Sequence, residues 1–101
     1  MPQRSRPDVA YVLIIHEVAD IDAWRVVFER AAGLRRDAGE RAYQVLVDAT
    51  APDVVVHFSS WTSLDAARAF FQSPELEAIR AEAGVRAPEF RYLDELTSGT
   101  L

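Results

Sequence analysis

Two short runs, Tyr11-Val-Leu-Ile-Ile15 leading into His16 and Val54-Val-Val56 leading through His57 to Phe58, are apolar at successive positions. Successive side chains of a β-strand point to opposite faces of its sheet, so each run is apolar on both faces. An antiparallel sheet with helices on one side and water on the other alternates apolar with polar residues instead. Something must therefore cover the second face, and a chain of 101 residues has no spare element for it. The expected cover is the same sheet of a second copy, which makes the chain a homodimer.

A chain of this length forms one domain around one modest core. Half of its residues are apolar, which places it outside the disordered range. Residues 1–8 hold two prolines and two arginines and read as a flexible tail, and residues 9–101 as the domain. The net charge of −5 and the scatter of the eleven basic residues exclude a nucleic-acid-binding patch. No apolar run approaches membrane-spanning length, and the polar N-terminus carries no signal-type apolar segment, so the expected location is the cytoplasm. Without cysteine there is no disulfide, thiolate ligand or cysteine nucleophile. All the basic residues are arginine, and with no lysine the chain cannot form a Schiff base.

The first strand is expected over Val9–Val18. Asp20 is a good N-cap, and Ile21, Trp24, Val27, Phe28, Ala31 and Leu34 recur at helical spacing. Arg35 and Arg36 read as the charged end of that helix, with Gly39 terminating it. Tyr43–Asp48 and Val54–Trp61 read as a hairpin around the turn Ala49-Thr-Ala-Pro-Asp53. Thr62-Ser-Leu-Asp65 has the spacing of a helix start. Leu64, Ala67, Phe70 and Phe71 form the buried face of the helix that follows. Ser73-Pro74 restarts that helix, and after Pro88 a last strand runs over Phe90–Leu96. The order β-α-β-β-α-β is the ferredoxin-like arrangement of an α+β protein.

His16-Glu-Val-Ala-Asp20 has only a superficial likeness to a zinc-protease motif. The fifth residue is aspartate, and the segment leaves a strand rather than lying on a helix, so no metal is expected. A metal site of His16, Glu17 and His57 would need convergence from two strands. His16 has Val12, Ile14 and Val18 as same-face neighbours, and His57 has Val55, Ser59 and Trp61. An imidazole in such a place must find a partner or lose its charge. Each is either a satisfied sheet or interface residue or a general base lining a pocket. Most of the aromatic residues suit an ordinary core; some would wall a cavity for a flat apolar ligand.

The stretch His16-x-Val18-x-Asp20-x-x-x-Trp24-x-x-x-Phe28 directly after an apolar strand, Trp61-x-Ser-Leu-Asp-Ala-Ala67, and Phe70-x-x-Ser73-Pro74-x-Leu76 together resemble the dimeric α+β barrel superfamily. Within it they are most similar to the small antibiotic biosynthesis monooxygenase-like and polyketide cyclase-like proteins. The resemblance spans residues 9–97. It implies a homodimer whose two four-stranded sheets form a barrel with helices outside, and a pocket between each sheet and its helices. It further implies a cofactor-independent oxygenase or cyclase acting on a flat, apolar, polyketide-like substrate, with no cofactor. His16 and His57 are then the candidate catalytic bases, and Trp24, Phe28, Tyr43, Trp61, Phe70 and Tyr92 the candidate substrate-binding residues. The chain has no asparagine, so a role the superfamily gives to an asparagine side chain cannot be filled. The alternative is a non-catalytic, ligand-binding or stress-related barrel.

Overall fold

A computed structural model describes residues 10–101. The expected tail and Val9 lie outside the described residues. In chain order the elements are β1 (Ala10–Val18), α1 (Ile21–Arg30), α2 (Ala32–Ala38), β2 (Glu40–Asp48), β3 (Ala51–Trp61), α3 (Leu64–Phe71), α4 (Pro74–Glu82) and β4 (Val85–Leu93). The strands form one antiparallel four-stranded sheet in the order β2-β3-β1-β4. This is the expected ferredoxin-like α+β fold, with each helical crossover broken in two. No helix among the described residues is long and apolar enough to cross a membrane.

The caps account for most helix starts. Asp20 is extended, and its carboxylate accepts the backbone N–H of Asp22 and of Ala23 at 2.9 and 3.2 Å. Ser73 caps α4 through Leu76 N–H, with Pro74 at the first helical position. The α3 cap is Ser63, whose hydroxyl accepts Ala66 N–H at 3.0 Å, and not Thr62 as the Thr-x-x-Asp spacing suggests. The single helix expected from Ile21 to Gly39 is interrupted at Ala31, with the helix-weakening Gly33 two residues on. Gly39, at φ +127°, ends α2 as expected.

Apart from β1, the strands are longer than the local pattern indicates. β2 begins at Glu40, three residues before the expected Tyr43. The hairpin closes tightly, with Asp48 opposite Ala51 and the Asp48 carboxylate accepting Thr50 N–H at 2.8 Å. Pro52 is tolerated because β3 pairs with β1 only from Val54 onward. β4 starts at Val85 and ends at Leu93, so Pro88 lies inside it. This is an edge strand, and its pairing with β1 shifts register between Glu89 and Arg86, so a bulge absorbs the missing N–H. Ala87 takes a positive φ of 47° there.

On the helix-covered face β1 buries Val12, Ile14, His16 and Val18, and β3 buries Val55, His57, Ser59 and Trp61. Two core clusters result. One gathers Val12, Ile14, Trp61, Phe70, Phe71 and Leu76, and the other Val18, Trp24, Val27, Val55 and Ala83. The opposite face carries Tyr11, Leu13, Ile15, Val54, Val56 and Phe58, all half-buried, with Tyr11 stacked on Phe58 at 5.5 Å between ring centroids. Leu46 and Leu93 extend this apolar face onto both edge strands and are exposed.

Candidate functional site

Opposite Ile14 on one side and Val45 on the other, His57 projects from β3 toward the helices. The turn at Gly39 brings the end of α2 and the start of β2 against it. Gly39 N–H bonds the carbonyls of Arg35 and Arg36, and its own carbonyl accepts Thr62 N–H at 3.0 Å. A Cβ at Gly39 would lie 2.8 Å from Thr62 Oγ1, so this close approach requires glycine.

The result is a buried array. Glu40 Oε2 lies 2.8 Å from His57 Nε2, and Arg35 Nε donates to Glu40 Oε1 at 2.5 Å. A second Arg35 nitrogen donates to the Phe28 carbonyl, one of the last four of α1, and so ties α2 to α1 across the break. The guanidinium carbon sits 3.7 Å from the Phe28 ring centroid and 5.3 Å from that of Tyr43. Arg35, Glu40 and His57 are 4%, 6% and 3% exposed. Arg35 is thus no solvated helix end, in contrast to Arg36, which is exposed as expected.

His16 lies on the same face of the sheet, one strand over and 5.5 Å from Trp24 between ring centroids. It is 6% exposed, and neither ring nitrogen has a hydrogen-bond partner among the described residues. Burial first, and then the neighbouring His57 and Arg80, push its pKa down to about 4, so the ring is neutral at neutral pH. Glu17 is exposed on the opposite face, so it cannot join His16 and His57 around a metal ion. No group of three potential metal ligands occurs among the described residues.

A cavity of about 460 Å³ opens between α1 and β2. Trp24, Phe28 and Tyr43 form its aromatic wall, joined by Ile21, Val45 and Val47, with Arg25 and Glu29 supplying charge. Trp24 and Phe28 are stacked at 4.8 Å, and Phe28 meets Tyr43 edge-on at 5.1 Å. Behind this wall Phe28 also meets His57 edge-on at 4.9 Å. One aromatic layer therefore separates the cavity from the array.

Three of the expected substrate-binding residues, Trp24, Phe28 and Tyr43, line this cavity together. Trp61 and Phe70 pack elsewhere, in the core cluster with Phe71, where Trp61 Nε1 donates to Ser59 Oγ at 2.8 Å. Tyr92 lies on β4 beneath the Arg68 guanidinium, and burial raises its hydroxyl pKa. Glu40 and the structural part of Arg35 were not legible from spacing. The available signal was an acid immediately after a helix-ending glycine, near a histidine on the buried face of an apolar strand.

A sequence model of the family described as antibiotic biosynthesis monooxygenase matches residues 17–82. No curated protein matches the chain. Among solved structures, a putative antibiotic biosynthesis monooxygenase from Bordetella bronchiseptica superposes with a TM-score of 0.74 at 14% identity, covering 89% of this chain and 99% of that one. SnoaB from Streptomyces nogalater, a cofactor-independent oxygenase, gives a TM-score of 0.71 at 17% identity, covering 89% and 94%. Rv0793 from Mycobacterium tuberculosis gives 0.64 at 21% identity, covering 90% and 99%. At these identities the likeness is one of fold.

Proposed function

The chain belongs to the antibiotic biosynthesis monooxygenase family, and from that premise we propose that it is a cofactor-independent monooxygenase acting on a flat, apolar, polyketide-like substrate. The observation that carries this reading is the aromatic-walled cavity backed by the buried Arg35–Glu40–His57 array. The cavity offers planar contact on Trp24, Phe28 and Tyr43, and its volume suits a small polycyclic molecule. A buried ionic array adds little net stability over well-packed apolar residues, so its presence behind a ligand-sized cavity favours a chemical role.

The proposed reaction begins with removal of a proton from a substrate carbon activated by an adjacent carbonyl or phenol, with His57 as proton acceptor once the Phe28 and Tyr43 rings that stand between it and the cavity have turned aside. The carbanion reduces oxygen and combines with it to give a peroxide. Loss of water then leaves a carbonyl, so that one substrate methylene and one dioxygen become one carbonyl and one water. The substrate supplies all the electrons. The same carbanion attacking an internal carbonyl would close a ring, which is the cyclase variant of the reading.

The chain is further proposed to work as a homodimer, joined through the apolar sheet face of Leu13, Ile15, Val56 and Phe58, which no helix or strand among the described residues covers. One observation favours a second reading, a barrel that binds an apolar ligand without converting it: both imidazoles lie behind the cavity wall and are almost fully buried.

Oxygen uptake over a panel of hydroxylated polycyclic aromatics with an activated methylene separates the two readings. Turnover that falls at least about 100-fold in His57→Ala, with folding retained, supports the enzyme. Tight binding without oxygen uptake supports the binding barrel, and undiminished turnover in His57→Ala removes His57 from the mechanism.

A further inference from the structure

We infer that Arg35 and Glu40 are positioning residues that fix which nitrogen of His57 is free to accept a proton, an inference resting on the reading of His57 as proton acceptor. The direction of the hydrogen bonds propagates from Arg35. A guanidinium has donors only. Its Nε donates to Glu40 and a terminal nitrogen to the Phe28 carbonyl, while its flat face lies on the Phe28 ring, so it has little freedom to turn. The Glu40 carboxylate that faces this donor is an acceptor only. His57 Nε2 must therefore donate to Glu40 Oε2 across their 2.8 Å separation. When the ring is neutral its lone pair then sits on Nδ1.

The arrangement differs from a merely structural ion pair in having a direction. An apolar trio of similar volume would hold α1, α2, β2 and β3 together equally well, but it would not choose between the two tautomers of a histidine. Holding an imidazole by one nitrogen through a buried carboxylate, so that the other stays available, is how acid–base histidines are commonly oriented. In this chain the carboxylate is itself oriented by Arg35, and Arg35 rests on two residues of the cavity wall, Phe28 and Tyr43.

The same logic gives an unusual test. In Glu40→Gln the side-chain oxygen must still face the Arg35 donor, so the amide nitrogen faces His57. Nε2 then has to accept, and the ring proton moves to Nδ1. Adding Arg35→Met fills the space between the Phe28 and Tyr43 rings and removes the constraint. The amide is free to turn its oxygen to His57, and the proton returns to Nε2. Long-range nitrogen–proton NMR on uniformly labelled full-length protein reads the tautomer directly at a pH where the ring is neutral. His16→Met assigns the two histidines.

The expected result is an Nε2-protonated His57 in the wild type, an Nδ1-protonated ring in E40Q, and a return toward Nε2 in R35M/E40Q. Turnover on the aromatic panel falls by about two to four orders of magnitude in E40Q and recovers partly in the double variant. An Nδ1-protonated or mixed wild type overturns the inference even if E40Q fails to fold, as does an E40Q ring that stays protonated on Nε2. Inversion of the ring with unchanged turnover overturns its catalytic consequence. A wild type that consumes no oxygen with any panel member counts against the monooxygenase reading, while the nitrogen shifts still decide whether Arg35 and Glu40 set the tautomer.

Discussion

An imidazole buried with neither nitrogen hydrogen-bonded is stable only while it is neutral, and His16 is in that position. Its pKa of about 4 in the fold against 6.5 for an unperturbed histidine has a definite sign. As pH falls through 6.5 the unfolded chain takes up a proton that the folded chain refuses. Stability is therefore full above about 6.5, declines toward about 4 and levels off below. The shift corresponds to about 3 kcal/mol. Urea unfolding of the wild type and of His16→Met should diverge in slope between about pH 7 and about pH 4.5, with the methionine variant losing less stability by about that amount. Parallel curves would show that His16 protonates freely in the fold. The apolar neighbours of both histidines were readable from strand alternation alone. Their difference was not: His57 has a carboxylate partner and His16 has none, because Glu40 reaches His57 through strand pairing and a glycine turn that residue spacing does not encode.

At the scale of elements, local chemistry decided the ends more sharply than hydrophobic periodicity did. Asp20, Gly39 and the Ser73-Pro74 pair lie where the sequence places them, because each acts on backbone groups within three or four residues. At Thr62-Ser63 two hydroxyls compete, and only Ser63 bonds into the first turn of α3. Ser63→Ala should cost about 1 kcal/mol, and Thr62→Ala distinctly less, in thermal or urea unfolding; equal costs would mean that both residues cap. Gly39→Ala should be worse than either, since it combines a φ of +127° with a Cβ only 2.8 Å from Thr62 Oγ1. The early start of β2 and the inclusion of Pro88 in β4 escaped the sequence for a common reason. Both depend on a neighbouring strand, which supplies pairing for Glu40 and a bulge opposite β1 for Pro88.

Over the whole molecule, the two apolar faces of β1 and β3 were the clearest message of the sequence, and adjacent residues of β3 now separate their roles. Val55 is fully buried against the helices, whereas Val56 is half-buried on the opposite face of the sheet. Val55→Asp places a charge in the core and should prevent folding. Val56→Asp should give a folded monomer in analytical ultracentrifugation. A V56D protein that remains dimeric would show that the copies meet elsewhere, and a monomeric wild type would remove the proposed barrel. The location of the cavity follows less directly from the chain, because α1 leaves Tyr43, Val45 and Val47 of β2 exposed. β2 also lies at the edge of the sheet and has one hydrogen-bonded neighbour, β3. One wall of the cavity is thus held by half the backbone ladder that secures the central strands. Amide hydrogens of Tyr43–Val47 should exchange with deuterated water well before those of β1, and a molecule seated against them should slow that exchange. Admission of a ligand then becomes a matter of how often a sheet margin breathes, with no separate flap required.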